Sequence, residues 1–110
     1  MTPVNRKKGK SAAGGVAHGR PVIVRSENDL SAVRHGDVLV AAQTDVAYLA
    51  AMHRACAIIT ETGGRFCHAA VWARENRKPT VLQITGATSL LEAVADVVVD
   101  GDNGVIEWRA

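Results

Sequence analysis

The chain has 110 residues, enough for one domain with a modest core and too few for a second. Its hydrophobic content of 47% is ordinary for a globular protein, but aromatics are only 4%, so Ala, Val, Ile and Leu must build the core. No apolar run has the length of a membrane span and no leader pattern is visible; Cys56 and Cys67 are too few for a disulfide framework, which fits a reducing, cytoplasmic setting.

The formal charge of +2 is unevenly placed. Arg6, Lys7, Lys8 and Lys10 supply four of the thirteen basic residues, and no acid precedes Glu27. Residues 11–110 carry nine basic and eleven acidic groups, so the basic balance belongs to the N-terminal stretch and not to the body. Residues 1–13 read as a basic, solvated, disordered tail, and residues 14–110 as the folded domain. A nucleic-acid partner would need a basic face on that body, and none is visible.

In chain order, Gly15 to Val24 reads as one or two extended pieces, with Pro21 marking an edge or a break. Ser26 and Asp29 suit a helix start, with a short turn running to about Arg34 and Gly36 closing it. Asp37-Val38-Leu39-Val40-Ala41 is a buried strand. Thr44-Asp45 can cap a helix from Val46 to about Arg54, where Tyr48, Leu49 and Met52 fall on one face as core residues. Cys56 to Thr60 forms the next strand.

That strand ends in Thr60-Glu61-Thr62-Gly63-Gly64-Arg65-Phe66-Cys67-His68, and a run rich in helix formers follows, with Ala69, Ala70, Ala73, Arg74 and Glu75. The pattern is strand, glycine loop, helix, with His68 at or just before the first helical turn. A helix N-terminus offers unpaired N–H groups and the positive end of the dipole, so it stabilises a phosphate or carboxylate without a metal. Beyond it, Pro79 ends the helix and leads into the strand Thr80-Val81-Leu82. Gly86-Ala87-Thr88 turns into a short helix expected over Ser89 to Ala95. Val97 to Asp100 and Val105 to Trp108, around Gly101-Asp102-Asn103-Gly104, form a hairpin. Strands alternating with helices, flanked by hairpin-like strands, predict an α/β domain with mixed parallel and antiparallel strands.

Gly63-Gly64-Arg65-Phe66-Cys67-His68-Ala69-Ala70-Val71-Trp72-Ala73-Arg74-Glu75, with Lys78-Pro79-Thr80-Val81-Leu82 after it, resembles the phosphohistidine motif of the phosphoenolpyruvate-utilising enzymes. That family includes phosphoenolpyruvate synthase, pyruvate phosphate dikinase, enzyme I of the sugar phosphotransferase system and rifampin phosphotransferase. The resemblance covers roughly residues 14–108 and implies the swivelling β/β/α phosphohistidine domain. It implies that His68 accepts a phosphoryl group and that Thr44, which follows a Val-Leu-Val strand as in the family, orients its ring. Gly63, Gly64, Cys67 and Ala69 are the loop residues it places around the phosphoryl group, and Arg65 there either pairs with the phosphoryl oxygens or sits in solvent or against a partner protein. Phe66 departs from the pattern, since the family usually has threonine there. In phosphoenolpyruvate synthase and the dikinase that threonine is a regulatory phosphorylation site, so this control is expected to be absent here, unless Thr60 or Thr62 has taken it over.

Full enzymes of the family also need a nucleotide-binding domain and a phosphoenolpyruvate/pyruvate barrel, and the barrel alone exceeds this length. The resemblance therefore implies a phosphotransferase component, stand-alone or excised, that carries phosphoryl groups between active sites on other chains. It implies no cofactor bound by this domain, with Mg and ATP or phosphoenolpyruvate held by the partners. Phe66 favours an alternative, a non-catalytic interaction module that keeps the fold without phosphotransfer. Other readings are weaker: His53, Cys56, Cys67 and His68 have zinc-ligand chemistry without a finger's spacing, so no metal is expected. Cys67 at a helix start suits a reactive thiol. His18, His35 and His53 form no constellation and read as surface or structural residues.

Overall fold

The computed structural model describes residues 4–109. In chain order it contains β1 (Val4–Lys8), β2 (Lys10–Ala13), β3 (Val16–Gly19), β4 (Pro21–Val24), a 3-10 turn (Glu27–Ala32) and β5 (Val38–Ala41). A second 3-10 turn (Val46–Tyr48) runs into α1 (Leu49–Arg54), followed by β6 (Ala57–Thr60), α2 (His68–Asn76) and β7 (Thr80–Leu82). The chain finishes with α3 (Ala87–Leu90), β8 (Val97–Asp100) and β9 (Val105–Arg109).

Two sheets form. The central one has the order β2-β7-β6-β5-β4; β4 to β7 run parallel, and β2 lies antiparallel on the edge beside β7. The other is antiparallel throughout, in the order β1-β9-β8-β3. Successive strand residues point to opposite faces, and this alternation sorts the core into two layers. On one face of the central sheet, Val22, Val24, Leu39, Ala41 and Ile58 pack against Ala51, Met52, Trp72 and Ala73 of α1 and α2. On the other, Val38, Val40, Ala57, Ile59 and Val81 pack against Val97, Val99 and Ile106 of the antiparallel sheet and Ala87 beside it. The layers are therefore antiparallel sheet, parallel sheet, helices: the swivelling β/β/α arrangement. Burial on both faces explains why β5 and β6 are unbroken apolar runs rather than alternating ones. Among the described residues no helix is long and apolar enough to cross a membrane.

Most expected elements form where the sequence places them. Pro21 opens β4, which is an edge strand, so its missing N–H breaks no ladder. The hairpin of β8 and β9 pairs Val97 with Trp108 and Asp100 with Val105, and Asp100 closes the turn by accepting from the N–H and side-chain amide of Asn103. The last helix differs from expectation: it runs from Ala87 to Leu90 instead of Ser89 to Ala95. The Glu61 carboxylate accepts from both the N–H (2.9 Å) and the hydroxyl (2.6 Å) of Thr88, which starts the helix two residues earlier.

The larger correction concerns the basic stretch. Residues 4–13 are two strands and not a disordered tail, while residues 1–3 lie outside the described residues. In β1, exposed and half-buried residues alternate, and Arg6 pairs with Glu107 of β9 at 3.7 Å. Lysines and arginines suit such a strand because they point to water from the edge of a sheet. β2 is tied in by the Gly9 N–H on the Gly104 carbonyl (2.8 Å) and by the Ser11 hydroxyl on the Gly101 carbonyl. Its Ala12 is 8% exposed and packs with Ala69, Ala70 and Leu82, beneath the start of α2. The folded domain thus begins before residue 14, and the segment read as a tail supports the helix that carries His68.

Candidate functional site

The site lies at the C-terminal ends of the parallel strands, where α/β sheets ordinarily place their ligands. β5 and β6 are laced together there. The Glu61 N–H is shared between the carbonyls of Ala41 (3.1 Å) and Ala42 (3.2 Å), and the N–H and hydroxyl of Thr62 both donate to the Ala42 carbonyl at 3.1 Å. The Thr60 hydroxyl donates to the Thr62 carbonyl at 2.6 Å. These bonds hold the loop after β6 against the loop after β5, and so bring Thr44 and His68 together from 24 residues apart.

Gly63 then turns the chain with φ +115°, a conformation that favours glycine. A Cβ there would also lie 2.9 Å from the Cys67 sulfur. The Gly63 carbonyl accepts from the Gln83 side-chain amide at 2.9 Å, and the Arg65 carbonyl accepts from the Arg74 guanidinium at 2.7 Å. Cys67 occupies the N-cap of α2, and His68 is the first helical residue. The N–H groups of His68, Ala69 and Ala70 therefore lie in the first turn, where a helix has no internal acceptors for them.

His68 is half-buried. Its Nδ1 lies 3.0 Å from the Thr44 hydroxyl oxygen, and among the described residues Nε2 has no hydrogen-bond partner. When Nδ1 carries the ring proton and donates it to Thr44, the Nε2 lone pair is free to act as a nucleophile. His68 belongs to the wall of a cavity of about 150 Å³, lined also by Gln43, Thr44, Thr60, Thr62, Gly63, Cys67 and Ala69.

Five of the seven residues expected at the site line this cavity: Thr44, Gly63, Cys67, His68 and Ala69. Ala69 is 2% exposed, packed with Ala12 and Leu82, so it offers its backbone and not its side chain. Gly64 and Arg65 are exposed and stand outside the lining. The Arg65 guanidinium instead lies 5.6 Å over the Phe66 ring, and Phe66 itself is 81% exposed at the tip of the loop. The possible zinc ligands are occupied elsewhere: His53 meets Trp72 edge to face, and the Cys56 thiol donates to the His18 carbonyl at 3.5 Å. Burial pushes the Cys56 thiol up from its ordinary value, away from thiolate chemistry. Among the described residues, no three His, Cys, Asp or Glu side chains gather as a metal site.

Sequence reasoning did not place Gln43, Thr60 and Thr62 in the cavity wall. Thr60 and Thr62 stood in the motif stretch, and their position on either side of a strand end was the available signal. Nothing in the sequence pointed to Gln83.

The family model described as the mobile domain of PEP-utilising enzymes matches residues 33–104. A probable phosphoenolpyruvate synthase from Archaeoglobus fulgidus is 40% identical over 99 residues, 90% of this chain and 13% of that protein. The chain thus spans about an eighth of the length of the curated relatives it matches. A solution structure of Enzyme I superposes with a TM-score of 0.58 and 29% identity, over 70% of this chain and 32% of that one. The holo-form of Thermococcus kodakaraensis aconitase X superposes with a TM-score of 0.67 over 94% of this chain and 98% of that one, and at 19% identity that is a likeness of fold alone. With His68 at the helix start in the family's motif and the family model spanning most of the chain, this protein belongs to the mobile, phosphohistidine domain family of the phosphoenolpyruvate-utilising enzymes.

Proposed function

We propose that this domain is a phosphoryl carrier in which His68 accepts a phosphoryl group at one partner active site and delivers it at another. The observation that carries the reading is the 3.0 Å contact between the Thr44 hydroxyl and His68 Nδ1, in the wall of the cavity, which leaves Nε2 without a hydrogen-bond partner among the described residues. In the forward step, the Nε2 lone pair attacks phosphorus in line, an N–P bond forms and the P–O bond to the donor's leaving oxygen breaks. The Nδ1 proton stays on the ring, held by Thr44. In the return step an acceptor oxygen attacks phosphorus and the N–P bond breaks. Such transfers have little covalent chemistry for a protein to perform, so positioning and charge stabilisation dominate. The N–H groups of the first turn of α2 and the positive end of its dipole supply that stabilisation for the phosphoryl oxygens.

The partners in this reading are an ATP-binding domain, a phosphoenolpyruvate/pyruvate-binding barrel, or both, on other chains. Mg²⁺ with ATP, or phosphoenolpyruvate, is bound by those partners. Support comes from the relatives' much greater length and from the name phosphoenolpyruvate synthase that they bear.

A second reading, an interaction module without phosphotransfer, is favoured by one observation: Phe66, the chain's single phenylalanine, is 81% exposed beside the histidine where it can serve a partner surface. Reconstitution separates the two. The domain is mixed with a donor domain and its phosphorylated substrate, using wild type and His68→Asn. Acid-labile, base-durable label on wild type alone supports the carrier; binding without label on either supports the module, and label persisting in His68→Asn refutes the carrier.

A further inference from the structure

Gln83 stands out from the rest of the backbone. Only two residues other than glycine have positive φ among the described residues, Arg77 at 54° and Gln83 at 62°. Arg77 is explained as the left-handed C-cap of α2, where the N–H of the next residue returns to the Ala73 carbonyl. Gln83 caps no helix. It follows β7 directly, and the chain rejoins the sheet one residue later, where the Ile84 N–H donates to the Thr60 carbonyl at 3.0 Å. A glutamine held in the left-handed region is strained, and strain of this kind persists where the surroundings enforce it, often at functional sites. Its exposed side chain reaches across to the glycine loop and donates to the Gly63 carbonyl at 2.9 Å.

We propose that Gln83 is a positioning residue for His68, clamping the Gly63 carbonyl so that the glycine loop keeps its cavity-forming conformation. The inference rests on the carrier reading above for its functional consequence. Gly63 is gripped from two sides: the Gln83 amide fixes its carbonyl, and the Cys67 sulfur occupies the space where a side chain would lie. Gly63, Cys67 and His68 all line the cavity, so the clamp holds part of the wall that His68 shares. The rest of the loop is tied at Arg65, whose carbonyl accepts from Arg74, and at Gly64, whose carbonyl accepts from the Cys67 N–H, so Gln83 supplies the side-chain bond at Gly63 itself. Releasing the carbonyl frees Gly63 to change φ, and misplacement of the loop by a fraction of an ångström slows transfer more than it weakens binding.

Two variants separate clamp from fold. Gln83→Gly removes the donor and suits the left-handed φ, so the fold is retained. Gln83→Glu keeps the length but replaces the donor by an acceptor facing a carbonyl. Amide hydrogen exchange is followed over residues 63–67, and phosphorylation of His68 by phosphoramidate, a small donor that needs no partner, is followed by site-resolved mass analysis. In both variants the loop amides should exchange about 2- to 10-fold faster, the change of one lost neutral hydrogen bond. The His68 rate should fall by up to the same factor, about 2- to 10-fold. Gln83→Lys, which restores a donor on a long stem, should recover most of that rate. Unchanged exchange in both variants overturns the clamp, and faster exchange with an unchanged His68 rate overturns its positioning role. If wild-type His68 is not labelled at all, the carrier reading fails, and the exchange measurement alone decides the clamp.

Discussion

Replacing Thr44 by valine tests the orientation of the ring, because valine keeps the branched shape and removes only the hydroxyl. Thr44 is half-buried and its oxygen stands 3.0 Å from His68 Nδ1, a normal distance for a neutral hydrogen bond. Such a bond contributes about 0.5–1.5 kcal/mol net. If all of it serves to hold the ring and its tautomer in the transition state, the loss corresponds to a rate about 2- to 13-fold slower, at about 1.4 kcal/mol per factor of ten. Stability should change little, because the site is open to water on one side and Nδ1 can take a water in place of the hydroxyl. Thr44→Ser keeps the oxygen and should stay close to wild type. The assay combines ¹⁵N NMR of the His68 ring, which reports where the proton sits, with the rate of phosphorylation by phosphoramidate. A valine variant with the wild-type tautomer and rate refutes the argument that Thr44 prepares Nε2.

Removing residues 1–13 should lower Tm sharply and cooperatively, because it strips β1 from β9 and uncovers Leu82 beneath α2; an unchanged Tm would restore the tail interpretation. Gly63→Ala should destabilise by about 1–3 kcal/mol, measured by urea unfolding, since alanine at φ +115° is strained and its Cβ would crowd Cys67. Two carboxylates give acid sensitivity. Hydrogen bonds from the hydroxyl and N–H of Thr88 hold Glu61 below the usual carboxylate range. Burial opposes ionisation of Asp37, but the hydrogen bonds and charges of Arg20 and Arg34 outweigh it and hold this carboxyl low as well. Each stabilising contribution is full above the unfolded pKa, about 4 for both residue types, and is lost as pH falls through the lower folded value. Urea midpoints should therefore drop below about pH 4, and less steeply in Glu61→Gln; parallel curves would remove Glu61 from the explanation.

How much of this was legible in the sequence depended on how local the signal was. β5, β6 and the final hairpin were readable because apolar runs and turn residues act within a few positions. The start of α2 was readable because two glycines, a histidine and an alanine-rich run stand in one register. The strand character of residues 4–13 was not, because their lysines and arginines resemble a solvated tail until β9 and β7 are there to pair with them. Ala12 and Ala13 looked unremarkable for the same reason, although small side chains are what let α2 approach. The early start of α3 depends on Glu61, 27 residues before Thr88, and Gln83 reaches Gly63 across 20 residues. Contacts of that range leave no periodic trace in a single sequence. For Arg65 the motif left a phosphate contact and a solvent or partner-facing place both open, and its guanidinium rests on Phe66, outside the cavity.

The measurement closest to the central claim is the position of the phosphoryl group after charging by a donor domain. With ¹⁵N-labelled histidine, NMR should show phosphorus bonded to Nε2 of His68, with Nδ1 still protonated. The label should be lost in acid, kept in base, and absent from His68→Asn. Phosphorus found on another residue, or an acid-stable ester anywhere in the chain, would contradict the account.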